Sequence, residues 1–259
     1  GGERAALDHL DAVDLDGYAD RRDVLADDAT TRLSPYLKWG CIHPRQLLGN
    51  LGRSAAHRSF RTEVCWREFY ADVLFHAPAS ARQAWNPAMR SIEVDTGPEA
   101  DEGFEAWAQG RTGYPLVDAG MRQLVAEGWM HNRVRMVTAS FLVKDLHVDW
   151  QRGARHFLRH LVDGDLASNH HGWQWVAGTG TDAMPFVRVL NPVSQSRRFD
   201  PDGDYIRRHV PELRHVPAPA VHQPWTPDGG PPAGYPPPMV DHAAERLEAL
   251  RRFESRRSP

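Results

Sequence analysis

The sequence predicts an all-α protein, with two packed helical clusters around one cleft. Three observations carry this prediction. Apolar residues recur at helical spacing along most of the chain, and the two-residue alternation of a half-buried strand is nearly absent. Ten of the twenty prolines fall between Pro211 and Pro238, so regular helix belongs to the remainder. Taken in order, Ser34-Pro35 reads as an N-cap with proline at the first helical position. Glu63, Trp66, Arg67 and Tyr70 follow at i, i+3, i+4 and i+7, one polar-aromatic face of a helix. Cys65, Phe69 and Val73 form a neighbouring face that can pack inward. Leu116/Val117, Gly120/Met121 and Leu124/Val125 repeat every four residues, an apolar face that ends near Gly128. The segment from Val134 to Val143 is apolar almost all round, as expected of a helix at a domain's centre. Ala154, Phe157, Leu158, Leu161 and Val162 mark an amphipathic helix that stops before Gly164. Residues 211–238 read as an irregular strap along the surface, leading to a last helix at about 241–255.

Composition narrows the class. A chain of 259 residues can bury a sizeable core, and 41% hydrophobic with 25% charged residues is ordinary for a soluble globular protein. No apolar run approaches the twenty residues of a membrane span. The acidic start, GGERAALDHLDAVD, lacks the regions of a signal peptide. Cys41 and Cys65 have no CxxC spacing, which argues against a disulfide framework or zinc site and fits a cytoplasmic location. A net charge of −3 speaks against a generic nucleic-acid binder. The average hides an asymmetry, however: residues 1–30 sum to −6 and residues 129–160 to +4. A basic face on an acidic protein can hold phosphates, although solvated helix faces are the commoner outcome of such runs.

Four of the nine tryptophans lie between Trp129 and Trp175, among arginines, aspartates and amides. Such a run suits electrons, planar rings or phosphates. Thr30, Thr31, Arg32, Leu33 and Ser34 offer hydroxyls, a guanidinium and a helix start to phosphate oxygens, though an isolated turn of this kind is more often just a capped turn. Asp163-Gly164-Asp165 makes a tight turn with directed acceptors, and Asn169 follows four residues after Asp165. The acids are too few and wrongly spaced for a calcium loop. His170 and His171 diverge by about 100° on a helix, so a hydrogen-bonded pair is a better reading than metal, and no metal site is expected. Trp173 and Trp175 point in different directions and can serve two neighbouring sites or two parts of a core.

Individually weak, these pieces occur together in one order across residues 18–240: TTRLSPYLKWG, EVCWREFY, GRTGYPLVDAGMRQL, GWMHNRVRMVTASFLVKDL, DW, DGDLASN, GWQW, GTGTDAMPFVRVLNP and FDPDGDYIRR. The set resembles the FAD-binding helical domain of the photolyase/cryptochrome family, and specifically the class I cyclobutane pyrimidine dimer photolyases. The resemblance implies a U-shaped FAD, active as FADH⁻, in the cleft between the two helical clusters. By position, Tyr18, the Thr30–Ser34 turn and Arg67 would hold its phosphates and neighbouring groups, with Phe60 against the cofactor. Asp163, Gly164 and Asp165 would lie by the flavin and sugar, Arg135 would pair with Asp163, and Asn169 would lie by flavin N5. The implied reaction is light-driven electron transfer to a flipped-out pyrimidine dimer in DNA. Trp66 and Trp175 would wall the dimer, Glu63 would hydrogen-bond it, and Asn132 and Met136 would complete the pocket. Arg133, Arg188 and Gln195 would position the DNA backbone. Trp173 and Trp150 match two members of a tryptophan chain that reduces the flavin under light. A monomer acting on dimer-containing DNA, away from any membrane, is the expected state.

Three departures accompany the resemblance. The third tryptophan of the electron chain would fall around Val94–Pro98, where there is none, leaving Trp85 or a tyrosine as substitutes. Phe60 stands where relatives often carry tryptophan. An N-terminal α/β antenna domain, usual in the family, is expected to be absent from this chain, so the antenna pigment is unknown and residues 1–259 read as one FAD-binding domain. WMHN at 129–132 lacks the double histidine of (6-4) photolyases. A non-repair flavin photoreceptor is the alternative, and Glu63, Trp66, Asn169 and Trp175 together favour repair.

Overall fold

The computed structural model describes residues 1–259 apart from 28, 50, 182–187, 226–229, 231 and 256–259. The described residues are helical, with no strand among them. Short N-terminal helices α1 (Gly2–Ala12), α2 (Tyr18–Arg21), α3 (Ser34–Lys38) and α4 (Pro44–Gly49) precede the long α5 (Ala55–His76). Then come α6 (Pro98–Ala108), α7 (Pro115–Glu127), α8 (Asn132–Ser140), α9 (Trp150–His160) and α10 (Leu166–Ala177). The chain ends with α11 (Pro192–Phe199), α12 (Asp204–His209) and α13 (His242–Ser255). Two main cores form among the described residues, in line with the two-cluster reading, beside a small third cluster of Ala84, Met89 and Phe253. One gathers Ala6, Leu10, Leu33, Ile42, Leu47 and Phe60 under α1–α5. The other, much larger, is built on Trp107, Leu124, Phe141, Phe157, Trp173 and Tyr205. Helix α5 bridges them, packing on α2 and on α10.

Local chemistry explains the frame. Ser54 caps α5, its Oγ accepting from the His57 N–H. Helix α7 begins with Pro115 and stops at Gly128, whose φ of +64° is the left-handed C-terminal conformation that glycine adopts freely. The buried Asp118 carboxylate accepts from the Thr112 N–H and hydroxyl, the Gly113 N–H and the Tyr235 hydroxyl, tying the turn before α7 to the proline-rich strap. A β-carbon on Gly113 would stand 2.2 Å from the Pro237 carbonyl oxygen, so only glycine lets the strap lie that close. After Ser140 the helix widens into a π turn over Phe141–Asp145, which carries Lys144 and Asp145 into the interior. The strap contains single 3₁₀ turns at Pro211–Leu213 and Ala220–His222, and its residues 226–229 and 231 lie outside the described set. The last helix falls where expected.

Several local expectations need correction. Helix α3 has Leu33 at its N-cap position, and the Ser34 hydroxyl donates to Asp163 rather than capping. Cys65 and Phe69 are exposed and only Val73 of that face is buried, because α5 covers the core with a single narrow side. Val125 is exposed, since the last turn of α7 emerges into solvent. Helix α9 ends at His160, so Leu161 and Val162 belong to the following turn. The basic run 129–160 is not a bare face: Arg133, Arg135 and Arg152 pair with Asp23, Asp163 and Asp101. Among the described residues no helix is long and apolar enough to cross a membrane.

Candidate functional site

Between the two cores runs a bent cleft with two arms. The first is walled by Met136, Phe157, Asn169, Gly172, Trp173 and Val176. The second is walled by Tyr18, Thr31, Leu33, Phe60, Lys38 and Arg67. Arg135, Asp163, Asp165 and Ser168 line both, so the arms meet along them. The junction is a charged clamp. Arg135 Nη2 donates to both Asp163 oxygens at 3.1 and 2.9 Å, and the Ser34 hydroxyl donates to Oδ2 at 2.6 Å. Arg135 Nε is held by the Met130 carbonyl at 2.8 Å. The expected Arg135–Asp163 pair is therefore present, and it draws α3, α8 and the turn before α10 together. Asp165 caps α10, accepting from the Ser168 N–H at 2.9 Å. Asn169 Nδ2 donates to the Ala154 carbonyl at 2.9 Å, which leaves its oxygen available to the cleft wall.

The residues fit a flavin dinucleotide on two observations. The Trp173 indole N–H is buried on the wall of the first arm without a hydrogen-bond partner, an arrangement that costs free energy unless a ligand atom serves it. A β-carbon built on Gly172, in the same wall, meets nothing within 4 Å. The first arm sets Phe157, Leu161, Trp173 and Val176 beside Asn132, Ser168 and Asn169, a lining that suits a flat ring with polar edges, while in the second Lys38, Arg67 and Arg135 stand beside Glu63, Asp163 and Asp165. Gly172→Ala is therefore expected to stabilise α10 by about 0.5–1 kcal/mol. Gly172→Leu is expected to leave the melting point near that of the parent and to abolish flavin retention, read from the visible spectrum of the purified protein.

Not every expected residue reaches the cleft. Thr31, Leu33 and Ser34 line the second arm, but Thr30 and Arg32 line a separate depression behind the turn with His9, Asp14 and Arg21. Arg32 adopts φ +45° and lays its guanidinium 4.2 Å over the Trp129 ring, 3.7 Å from a Glu127 oxygen. The turn thus divides into a cleft side and a packing side. Trp129 is buried and packs against that guanidinium.

Glu63 and Arg67 line the second arm, where Glu63 accepts from Arg22 Nη1 at 2.7 Å and Arg67 donates to the Leu37 carbonyl. Trp66, 46% exposed, stacks on Tyr70 at 5.7 Å, and Tyr70 stacks on His171 at 5.5 Å and 5°. His171 reaches the Ser80 hydroxyl and His170 abuts Trp150, so the two histidines diverge. Trp175 is half-buried with the Arg188 guanidinium 4.8 Å above its ring. Asn132 is exposed at the mouth of the first arm, Met136 half-buried below it, and Gln195 half-buried on α11. Arg133 is folded onto Asp23 at 2.7 Å and over the Phe199 ring, so it is not free for phosphate in this conformation. Arg22 is the neighbouring residue missed from sequence, while Tyr70 holds the polar-aromatic face of α5 that the spacing predicts. Arg22 lies four residues after Tyr18 on the same helical side, which is the signal that could have found it.

Trp173 is 3% exposed and meets Phe157 and Trp107 edge-on at 4.9 and 6.0 Å. Trp107, completely buried, was not among the expected neighbours. Trp150 sits one helical turn before Gly153, where a β-carbon would come 2.1 Å from the Trp173 ring, so α9 lies directly on that indole. The Asp95 N–H donates to the His147 carbonyl, placing the tryptophan-free segment beside the approach to Trp150. Trp85, 37% exposed, is anchored by its backbone N–H to Gln174 Oε1.

The family described as "FAD binding domain of DNA photolyase" matches residues 60–255. A deoxyribodipyrimidine photo-lyase of Streptomyces griseus is 51% identical over 93% of this chain and 51% of its own length. One from Salmonella typhimurium is 45% identical over 98% of this chain and 55% of its own. The chain thus spans about half the length of the curated relatives it matches. Among solved structures, a class III photolyase from Agrobacterium tumefaciens superposes with a TM-score of 0.90 at 43% identity, over all of this chain and 56% of that one. A Synechocystis cryptochrome gives 0.88 at 32% identity, over 97% of this chain and 56% of that one. With the family match running from within α5 to the end of α13, the chain belongs to the family of FAD-binding domains of DNA photolyases.

Proposed function

We propose that the protein repairs cyclobutane pyrimidine dimers in DNA, driven by light, with reduced FAD as the electron donor. One observation carries the reading: Asn132 and Met136, expected on the lesion side, line the same arm of the cleft as Asn169 and Trp173, expected on the cofactor side. Donor and acceptor would therefore share one cavity. The chemistry supplied by bound, reduced FAD is donation of one electron to the dimer under blue or near-ultraviolet light, with its return once the cyclobutane ring has split.

The chain's own residues bind, orient and shield. Tyr18, Thr31, Ser34 and Arg67 would hold the phosphate-bearing half of the cofactor, and Asp163 with Asp165 the sugar and ring edge. Asn169, its Nδ2 already engaged by Ala154, offers its oxygen to an N–H of the ring. Trp66, held by the Tyr70–His171 stack, and Trp175, under Arg188, supply planar walls in place of lost base stacking. Glu63, oriented by Arg22, hydrogen-bonds the dimer. Arg133 would exchange Asp23 for a DNA phosphate, and Arg188 and Gln195 would flank the backbone. Trp150 and Trp173 would carry electrons inward to keep the cofactor reduced. The relatives named above, all deoxyribodipyrimidine photo-lyases among the curated pair, support this substrate class. Action as a monomer in the cytoplasm is part of the proposal.

The test is illumination of the reduced, FAD-loaded chain with an oligonucleotide carrying one thymine dimer. Recovery of thymine absorbance is the expected result, whereas tight binding without repair favours the non-repair photoreceptor. Trp175→Ala is expected to weaken dimer binding by about 1–3 kcal/mol. An unchanged affinity returns Trp175 to core packing.

A further inference from the structure

Helix α3 ends at Lys38, and the next residue, Trp39, is 68% exposed. An indole so exposed is ordinarily free to turn. Here its Nε1–H donates to the Val162 carbonyl at 2.9 Å, across 123 residues of sequence. Val162 is held on its other side too, its N–H donating to the Gly128 carbonyl at 2.8 Å. The Lys38 ammonium lies 5.8 Å from the centre of the Trp39 ring. Ser34, Leu37 and Lys38 of α3 form one lip of the second arm, and Asp163 and Asp165, directly after Val162, form the facing lip. Two bonds therefore join the lips. The inner one runs from Ser34 to the buried Asp163 carboxylate and is reinforced by Arg135. The outer one, Trp39 to Val162, faces solvent, where water can replace it.

We propose that Trp39 is a clasp on the cofactor cleft: its indole N–H closes the two lips, and the bond opens each time FAD enters or leaves. The inference rests on the cofactor reading above and assigns Trp39 to passage of the cofactor, not to its contacts. A clasp closed both with and without cofactor has a distinctive kinetic signature. Removing it lowers the same barrier in both directions, so association and release accelerate together and affinity stays put. A side chain that merely touches FAD, or merely supports the fold, changes release and affinity in step.

The experiment measures FAD association with the apoprotein and FAD release from the holoprotein by stopped-flow flavin fluorescence, for the full chain and for Trp39→Phe. One neutral hydrogen bond lost at the barrier corresponds to rates raised about three- to tenfold in both directions. The dissociation constant is expected to stay within about twofold, and the apoprotein's melting point close to the parent's. A second replacement, 3-benzothienylalanine at position 39, removes only the N–H while keeping ring size and shape, and gives the same acceleration if the hydrogen bond is the clasp. Unchanged release, or faster release with proportionally weaker affinity and unchanged association, overturns the clasp alone. Wild-type protein that binds no FAD overturns the cofactor reading and the clasp together.

Discussion

Arg135→Ala is expected to destabilise the protein by about 3–5 kcal/mol, the range for removing one partner of a buried ion pair. The asymmetry of the pair decides the size. The Asp163 side chain is 2% exposed and that of Arg135 24%. Removing the guanidinium strands an almost wholly buried carboxylate, with only the Ser34 hydroxyl among its present partners left to serve it. Asp163→Asn leaves the opposite remainder. The guanidinium keeps the Met130 carbonyl and some water, so the expected loss is smaller, about 1–3 kcal/mol. At this chain length each kcal/mol moves the melting point by about 2–4 °C, so the two variants separate clearly in a thermal scan. Both should lose flavin, because the clamp stands where the two arms of the cleft meet. If Asp163→Asn proves the more damaging of the two, burial is not what sets the energetics of this clamp.

The same clamp marks how far the residues alone lead. The end of α7 at Gly128, the buried course of α8 and the last helix were legible because each follows from local periodicity and a stop signal. So were the Arg135–Asp163 pair and the divergence of His170 and His171, the first through resemblance and the second through helix geometry. What escaped depends on partners distant in sequence. Ser34 looks like a cap, but its hydroxyl is drawn off by Asp163, 129 residues away. Arg32 looks like a phosphate ligand, but a positive φ turns it onto Trp129. The basic run from Trp129 suggested an open phosphate surface, and its arginines meet acids from α2's neighbourhood and α6 instead. Val125 kept the period of its helix and lost its cover. Periodicity states which side of a helix is apolar, not how far the rest of the chain extends over it.

Acid is expected to open the lesion side of the cleft before the rest, through His131. This residue caps α8: its Nδ1 accepts from the Arg133 N–H at 3.1 Å, so its Nε2–H is left to donate to the Arg22 carbonyl at 2.9 Å. The arrangement needs the neutral ring. Burial first, and then the charges of Arg133 and Arg135, lower its pKa from 6.5 to about 4, against the opposing pull of the Arg22 carbonyl and Asp23. A pKa lowered by folding means that the unfolded chain takes up the proton more readily. The stabilisation is therefore complete above pH 6.5 and is lost as pH falls through about 4, amounting to about 3 kcal/mol at 1.36 kcal/mol per unit. His156, lowered to about 4 by burial, adds to the trend. Asp200, raised by burial to about 6, opposes it, because its contribution is present at low pH and lost as pH rises through 6. The difference between variants isolates His131. His131→Asn keeps a capping acceptor without a titrating proton. Urea midpoints of the two proteins should therefore agree in slope above pH 7 and diverge below 6, with the asparagine variant losing less. Parallel curves down to pH 4 would assign the acid sensitivity to other groups. Because Asn132, Arg133, Arg135 and Met136 all follow directly from this cap, flavin release on acidification should track the same difference.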